Sequence, residues 1–210
     1  MEYLPAILAV ALIHFLAVVS PGPDFIMIVR NSLVYSRRTG VYSALGLSFG
    51  ILVHIAYCLA GIAVIISQSI LLFSVFKYIG AAYLIYIGIK SFKARRQEVD
   101  LPEREHAKKD LTALQAVRSG FITNVANPKA TLFFLSLFTI VIDPTTPFIV
   151  KVIMSAEMVT MQFVWFALVA VAISHRFIKQ RVSKAQHYIE RFMGGILILF
   201  GLKVATAHNK

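Results

Sequence analysis

The sequence predicts an all-α integral membrane protein with six transmembrane helices, arranged as two inverted three-helix repeats whose first and fourth helices are broken. Three observations predict it: an apolar composition, six apolar stretches of membrane-crossing length, and a pair of proline breaks at matching places in the two halves. Of 210 residues, 58% are hydrophobic and 15% charged, a balance more apolar than a soluble domain of this size carries.

A hydrocarbon core about 30 Å thick takes about 20 apolar residues to cross as a helix. Stretches of that order run over 4–30, 41–66, 70–90, 116–142, 148–174 and 190–206. Met1, Glu2 and Tyr3 offer no positive leader region before the first stretch, and its apolar pattern resumes beyond the prolines. It is therefore expected to stay in the protein and not be cleaved as a signal. The second stretch holds the single Cys58, so no intrachain disulfide forms and no cysteine cluster is available for a metal. After the third stretch comes the one long polar segment, with eight bases and five acids between Lys90 and Arg118. It reads as a solvated linker, 91–115, between a first repeat, 1–90, and a second, 116–210.

The formal net charge is +11, and the placement of the bases decides what that means. Sixteen of the 21 Lys and Arg lie just after the first stretch, between the third and fourth, and between the fifth and sixth; Lys77 and Lys151 lie near the other two connections. The positive-inside rule then puts loops 31–40, 91–115 and 175–189 in the cytoplasm and both termini outside. Bases at span ends are what insertion requires, so the charge does not point to nucleic acid.

The two halves resemble each other. "YIGAAYLIYIGIK", Tyr78 to Lys90, aligns with "FMGGILILFGLK", Phe192 to Lys203, if one residue is skipped, and "SPGPDFIMIV" has a counterpart in "NPKATLFFLS". Each half has three spans, an odd number, so the second half enters the membrane in the opposite direction. The glycines of the third and sixth spans, Gly80, Gly88, Gly194, Gly195 and Gly201, are of the kind that lets membrane helices approach closely.

Pro21 and Pro23 cannot donate helix hydrogen bonds, and their rings crowd the carbonyls of Ala17 and Val19. The first span should therefore stop and restart, with Ser20 as N-cap, Pro21 as first helical residue and Asp24 in the first turn. Asn127 and Pro128 repeat the arrangement, Pro128 being the thirteenth residue of its stretch and close to the bilayer midplane. Two half-helix N-termini would then converge, each suited to a carboxylate or other anion, with Ser20 to Gly22 and Asn124, Asn127 and Lys129 around it. Irregular backbone at this depth belongs where it lines a cavity or is buried in protein. A pair of packing kinks is the alternative reading, since proline and glycine are common in membrane helices.

An ionisable residue inside a span costs at least about 2.5 kcal/mol at a helix centre on insertion scales, so the few present are candidates for mechanism. Asp24 can bind a substrate ammonium or carry a proton, or it can simply complement the helix dipole. Glu157 lies roughly 15 Å into the fifth span at about 1.5 Å per residue, with Thr160 on its face, and is a second candidate for proton coupling. Lys129 opposes the dipole at a helix N-terminus, which argues for a partner such as a substrate carboxylate or Asp24. His14 and His54 are either proton relays or ordinary interhelix polar groups, and neither has a second His or Cys at metal spacing. Trp165, Tyr83 and Tyr86 are available to wall a cavity. The chain has no HExxH and no nucleophile elbow, which leaves an intramembrane enzyme without support.

"IHFLAVVSPGPDF", "GLSFGILVH", "GAAYLIYIGIKSF", "GFITNVANPKATLFF" and "ERFMGGILILFGLK" resemble the LysE/RhtB superfamily of bacterial amino-acid exporters over essentially the whole chain. The PGP and NPK signatures look closest to its homoserine/threonine exporter branch. The resemblance implies six spans in a bacterial inner membrane, no cofactor, and efflux of amino acids or related small metabolites from the cytoplasm driven by the proton gradient. The expected partners are that substrate, a proton and the lipid bilayer, and a homodimer is compatible with it. It also implies that an acid or amide belongs at the position of Asp24, whereas nothing of the kind carries over to Glu157. Divalent-metal export is the nearest rival, and the absence of a Cys/His cluster gives it little support.

Overall fold

A computed structural model describes residues 3–20, 22–68, 70–93, 110–141 and 146–173, together with 188, 191–192, 194–199, 201–202 and 205–206. Its helices are α1 (Leu4–Val19), α2 (Pro23–Val34), α3 (Arg37–Gln68), α4 (Ile70–Phe92), α5 (Ala113–Val125), α6 (Pro128–Val141) and α7 (Phe148–Ala172). Each sequence stretch through the fifth thus has its helix, and the first and fourth are each divided in two. Among the described residues, Arg37–Gly61 and Phe148–Ala172 are long and apolar enough to cross a membrane, and α1 with α2 passes the same test as a pair bent by 56°. Most of the linker, the loop 175–189 other than Tyr188, and Pro21 lie outside the described residues.

The prolines set these boundaries through their neighbours. A residue before proline is pushed out of the α region, and Ser20 before Pro21 is extended at φ −64°, ψ 119°. Gly22 before Pro23 is extended at φ −168°, ψ −169°. The expectation that Ser20 caps the second half-helix is corrected here. A helix beginning at Pro21 would need Gly22 helical, which Pro23 prevents, so Gly22 is the N-cap and Ser20 closes α1 with its N–H on Leu16 O. At the other break the expectation holds. Asn127 Oδ1 accepts the Lys129 N–H at 3.0 Å, capping α6. Helix α5 opens on a reciprocal capping box between Thr112 and Gln115.

Among the described elements, α3 lies against α2, α4, α5, α6 and α7, while α7 lies against α1, α2 and α3. One buried apolar cluster joins Val10 and Ile13 of α1, Ile51 and Ile55 of α3, Leu84 of α4, Phe133 and Phe134 of α6, and Met154 and Met158 of α7. A second joins Val18, Ile28, Ala44, Leu47, Phe166 and Ala170. The outward faces of α1 (Leu4, Leu8, Leu12) and α7 (Ile149, Ile153, Leu168) are apolar and exposed, the surface a bilayer solvates. Lipid is as apolar as leucine, so helix contact there rests on close packing and interhelix hydrogen bonds.

The closest packing is between α3 and α5. A Cβ on Gly46 would collide with Val117 O, one on Gly120 with Ser43 O, and one on Gly50 with the Asn124 side chain. These three glycines were not singled out in the sequence, although Gly46-x3-Gly50 is a spacing that could have shown them. Glycine contact was expected between the third and sixth spans, and it occurs there as well. Gly88 lies 2.8 Å from Gly194 O and Gly201 lies 3.0 Å from Ala81 O, both measured from the position a Cβ would take. Gly195 differs, since a Cβ on it would meet nothing within 4 Å among the described residues. At one end of the bundle, Ser36 Oγ donates to Asp110 Oδ2 at 2.7 Å, so the α2–α3 turn and the start of the second half lie side by side.

Candidate functional site

Breaking a helix inside a membrane strands the last carbonyls of its first half, where no water can reach them. The structure answers this at each break with a basic side chain from elsewhere. Lys129 Nζ donates to Ser20 O at 2.6 Å and to Ala17 O at 3.3 Å, placing an ammonium on the negative end of the α1 dipole. His54 Nε2 lies 3.0 Å from Asn124 O at the end of α5. Because that oxygen can only accept, Nε2 carries a proton, while Nδ1 lies 2.8 Å from Tyr57 Oη, a hydroxyl that also reaches Thr131 O at 3.4 Å. The imidazole is also stacked on Phe134, the rings 5.4 Å apart and 2° from parallel. The misfit of a lysine in the first turn of α6 is thereby explained. It serves the end of a different helix.

The acid is held in the same reciprocal way. Asn124 Nδ2 donates to Asp24 Oδ2 at 2.8 Å, and Asn127 Nδ2 donates to Asp24 Oδ1 at 3.0 Å. One break supplies the carboxyl and the other supplies both amides that grip it. Asn124 and Asn127 are buried, and Asp24 is partly so. Gly22 matters because a Cβ there would stand 3.2 Å from Lys129 Cδ, pressing on the side chain that closes α1.

These groups surround a cavity of about 40 Å³, room for a few water molecules. Its polar end is formed by Ser20, Gly22, Asp24, Asn124, Asn127 and Lys129, and its other lining includes His14, Gln162, Phe133, Phe134 and Phe166. The first-turn N–H groups of α2 have no acceptor within the helix, and Gly22, Asp24 and Phe25 all line the space. An acid, a base, two amides and a helix N-terminus thus meet in one contracted chamber. Such a set can hold both ends of a zwitterion.

Of the residues singled out in the sequence, the structure gathers Ser20, Gly22, Asp24, Asn124, Asn127, Lys129 and His14 at the cavity. Pro23 and Pro128 open the half-helices beside it. His54 stands behind Asn124 and not among the lining. Glu157 is not brought to the cavity either. Its two carboxyl oxygens are shielded and have no hydrogen-bond partner among the described residues, and Thr160 donates to Ala156 O of its own helix, not to Glu157. Trp165 packs edge-on against Phe15, and Tyr83 lies beside Tyr86, so none of the three aromatics walls this cavity. Gln162 was missed in the sequence. It bridges α7 to α3 by donating to Leu47 O at 2.9 Å while lining the cavity.

The chain is 30% identical to an uncharacterized membrane protein, YrhP, of Bacillus subtilis (strain 168), over 96% of this chain and 99% of that one. It is 27% identical to the threonine efflux protein of Escherichia coli (strain K12), over 93% of this chain and 95% of the relative. It is 29% identical to another uncharacterized membrane protein of that strain, YahN, over 88% and 82%. No solved structure matches it. The family model for the LysE type translocator matches residues 15–208, and the chain belongs to that family of membrane transporters, which are not enzymes.

Proposed function

We propose that this protein is a secondary active exporter that moves a small amino acid of the threonine or homoserine type out of the cytoplasm by alternating access, coupled to proton entry. The observation that carries this reading is the interlocked pair of breaks, in which Asp24 and Lys129, from opposite halves of the chain, face one chamber. The substrate ammonium pairs with Asp24, and its carboxylate meets Lys129 and the first-turn N–H groups of α2. The relative named a threonine efflux protein supports the substrate class.

The pattern of contacts supports an inverted repeat. Helix α3 lies against α5 and α6, and its counterpart α7 lies against α1 and α2; α3 and α7 also touch each other. The aligned segments of the third and sixth spans pack antiparallel, Gly88 to Gly194 and Ala81 to Gly201. That is what a two-fold axis in the membrane plane would produce. The chamber is smaller than an amino acid needs, so loading requires the halves to part, and rocking one repeat on the other opens it to each side in turn. The Ser36–Asp110 hydrogen bond supports placing loops 31–40 and 91–115 on the same face, which we assign to the cytoplasm, with both termini outside. Labelling of an Arg104→Cys variant from outside intact cells would overturn that assignment.

Everted membrane vesicles test the reading, with uptake of labelled threonine, homoserine, lysine, leucine and cysteine measured with and without a proton gradient. Gradient-dependent accumulation of threonine or homoserine is expected, and no accumulation of any amino acid would overturn it. In the same assay Lys129→Met is expected to raise KM about 10-fold or more, since hydrogen bonds to a charged group are worth about 1.5–3 kcal/mol, and to lower thermal stability in detergent, since the Ser20 and Ala17 carbonyls lose their donor. Asp24 carries the coupling proton, with the unpaired Glu157 as a second carrier. Glu157→Gln is expected to lower gradient-driven uptake more than gradient-free exchange, and equal effects on both would remove that role.

A further inference from the structure

The cavity lining holds a further polar group that the binding of a zwitterion does not use. His14 is 1% exposed and lines the chamber from α1, and neither of its ring nitrogens has a close hydrogen-bond partner among the described residues. It packs against Phe133 and Phe134, with ring centroids 6.0 Å and 5.8 Å away. Gln162 stands beside it on α7, its amide nitrogen committed to Leu47 O and its amide oxygen left to accept a longer hydrogen bond from one imidazole N–H. Buried polar groups are ordinarily paired, and one left over is either strained, solvated or kept for a ligand.

The backbone groups of an amino acid are fully engaged at the other end, by Asp24, Lys129 and the start of α2. What reaches His14 is therefore the substrate side chain. Apart from Asp24 and Lys129, which the zwitterion engages, the described lining is aromatic or uncharged, with Phe133, Phe134, Phe166 and Gln162, so a charged side chain would lack a counter-ion of its own. An uncharged imidazole has one N–H to give and one lone pair to receive. A hydroxyl is the small group that both donates and accepts. We propose that His14 determines specificity by reading a hydroxyl on a short substrate side chain, a role resting on the amino-acid export reading above.

Threonine and valine test this directly, because they have nearly the same shape and differ by a hydroxyl in place of a methyl. Binding valine would leave the buried ring unpaired, and that loss is worth about 10- to 100-fold. Labelled threonine and valine are compared in everted vesicles at several concentrations for wild type, His14→Phe and His14→Gln. Wild type is expected to favour threonine over valine at least about tenfold in kcat/KM. His14→Phe should bring the ratio close to one while still carrying valine, and His14→Gln, which keeps a donor and an acceptor, should retain a preference for threonine.

Equal transport of threonine and valine by wild type overturns the role of His14 without need of any variant. So does an unchanged ratio in His14→Phe, which would mean that the imidazole holds water only. Failure of the export reading looks different, since wild type would then accumulate neither amino acid, nor any other.

Discussion

Asp24→Asn is expected to abolish gradient-driven transport while leaving the protein folded. The carboxyl receives one amide N–H from Asn124 and one from Asn127. An asparagine at position 24 presents one oxygen and one NH2 group, so one of those two donors would face another donor. It also has no charge to pair with an ammonium and no proton to carry. Hydrogen bonds to a charged group contribute about 1.5–3 kcal/mol, which is roughly 10- to 150-fold in substrate affinity. Loss of the proton carrier removes the coupling altogether. Accumulation of labelled threonine in everted vesicles should fall to background, with thermal stability in detergent changed far less. Asp24→Glu, which keeps the charge but moves it by a methylene, should recover part of the activity. Full gradient-driven uptake by Asp24→Asn would remove this residue from both roles.

Gly120→Leu is expected to do the opposite, damaging the fold before the chemistry. The new Cβ would strike Ser43 O and then Leu47 N, 2.9 Å away, and both are backbone atoms of α3 that no rotamer change can move. Overpacking a core costs typically about 1–3 kcal/mol when side chains can yield. With only helix backbone to yield, the cost here should reach or exceed the top of that range. Helix α5 would be forced off α3, pulling Asn124 away from His54 and Asp24 together. A large drop in melting temperature and loss of the monodisperse peak in detergent are the expected readouts. Gly195→Leu is the matched control, because nothing among the described residues stands within 4 Å of its Cβ position, and it should leave both measures near wild type. Equal damage from the two substitutions would show that the α3–α5 contact is not the reason.

Much of the fold was legible because its signals are local. Apolar length marks a span, and proline chemistry marks a break, with no knowledge of what lies across the bundle. The boundary at the first break was misread for a reason equally local. Ser20 is the better cap by residue type, yet Gly22 precedes a proline and is driven extended, so α2 begins after it.

The partners of the breaks were less legible, because they are tertiary. Lys129 could be seen to misfit its own helix, but not that it would serve the carbonyls of Ala17 and Ser20, more than 100 residues away in sequence. His54 in α3 gave no sign that it would meet the end of α5. Gln162 read as one more polar residue in an apolar span until α7 was placed against α3. Glu157 shows the converse, since its depth in the span suggested function but only the fold could show that it stands apart from Asp24.

The central claim is that one chamber at the two breaks binds the substrate and opens to each side of the membrane in turn. Ala130 lines it, and an Ala130→Cys variant with Cys58 replaced by serine tests the claim most directly. Its labelling by a membrane-impermeant maleimide is followed in right-side-out and in everted vesicles, with and without threonine. Labelling from both faces, slowed by threonine in each, is the expected result. Labelling at a rate that no amino acid alters, or from one face only under all conditions, would contradict it.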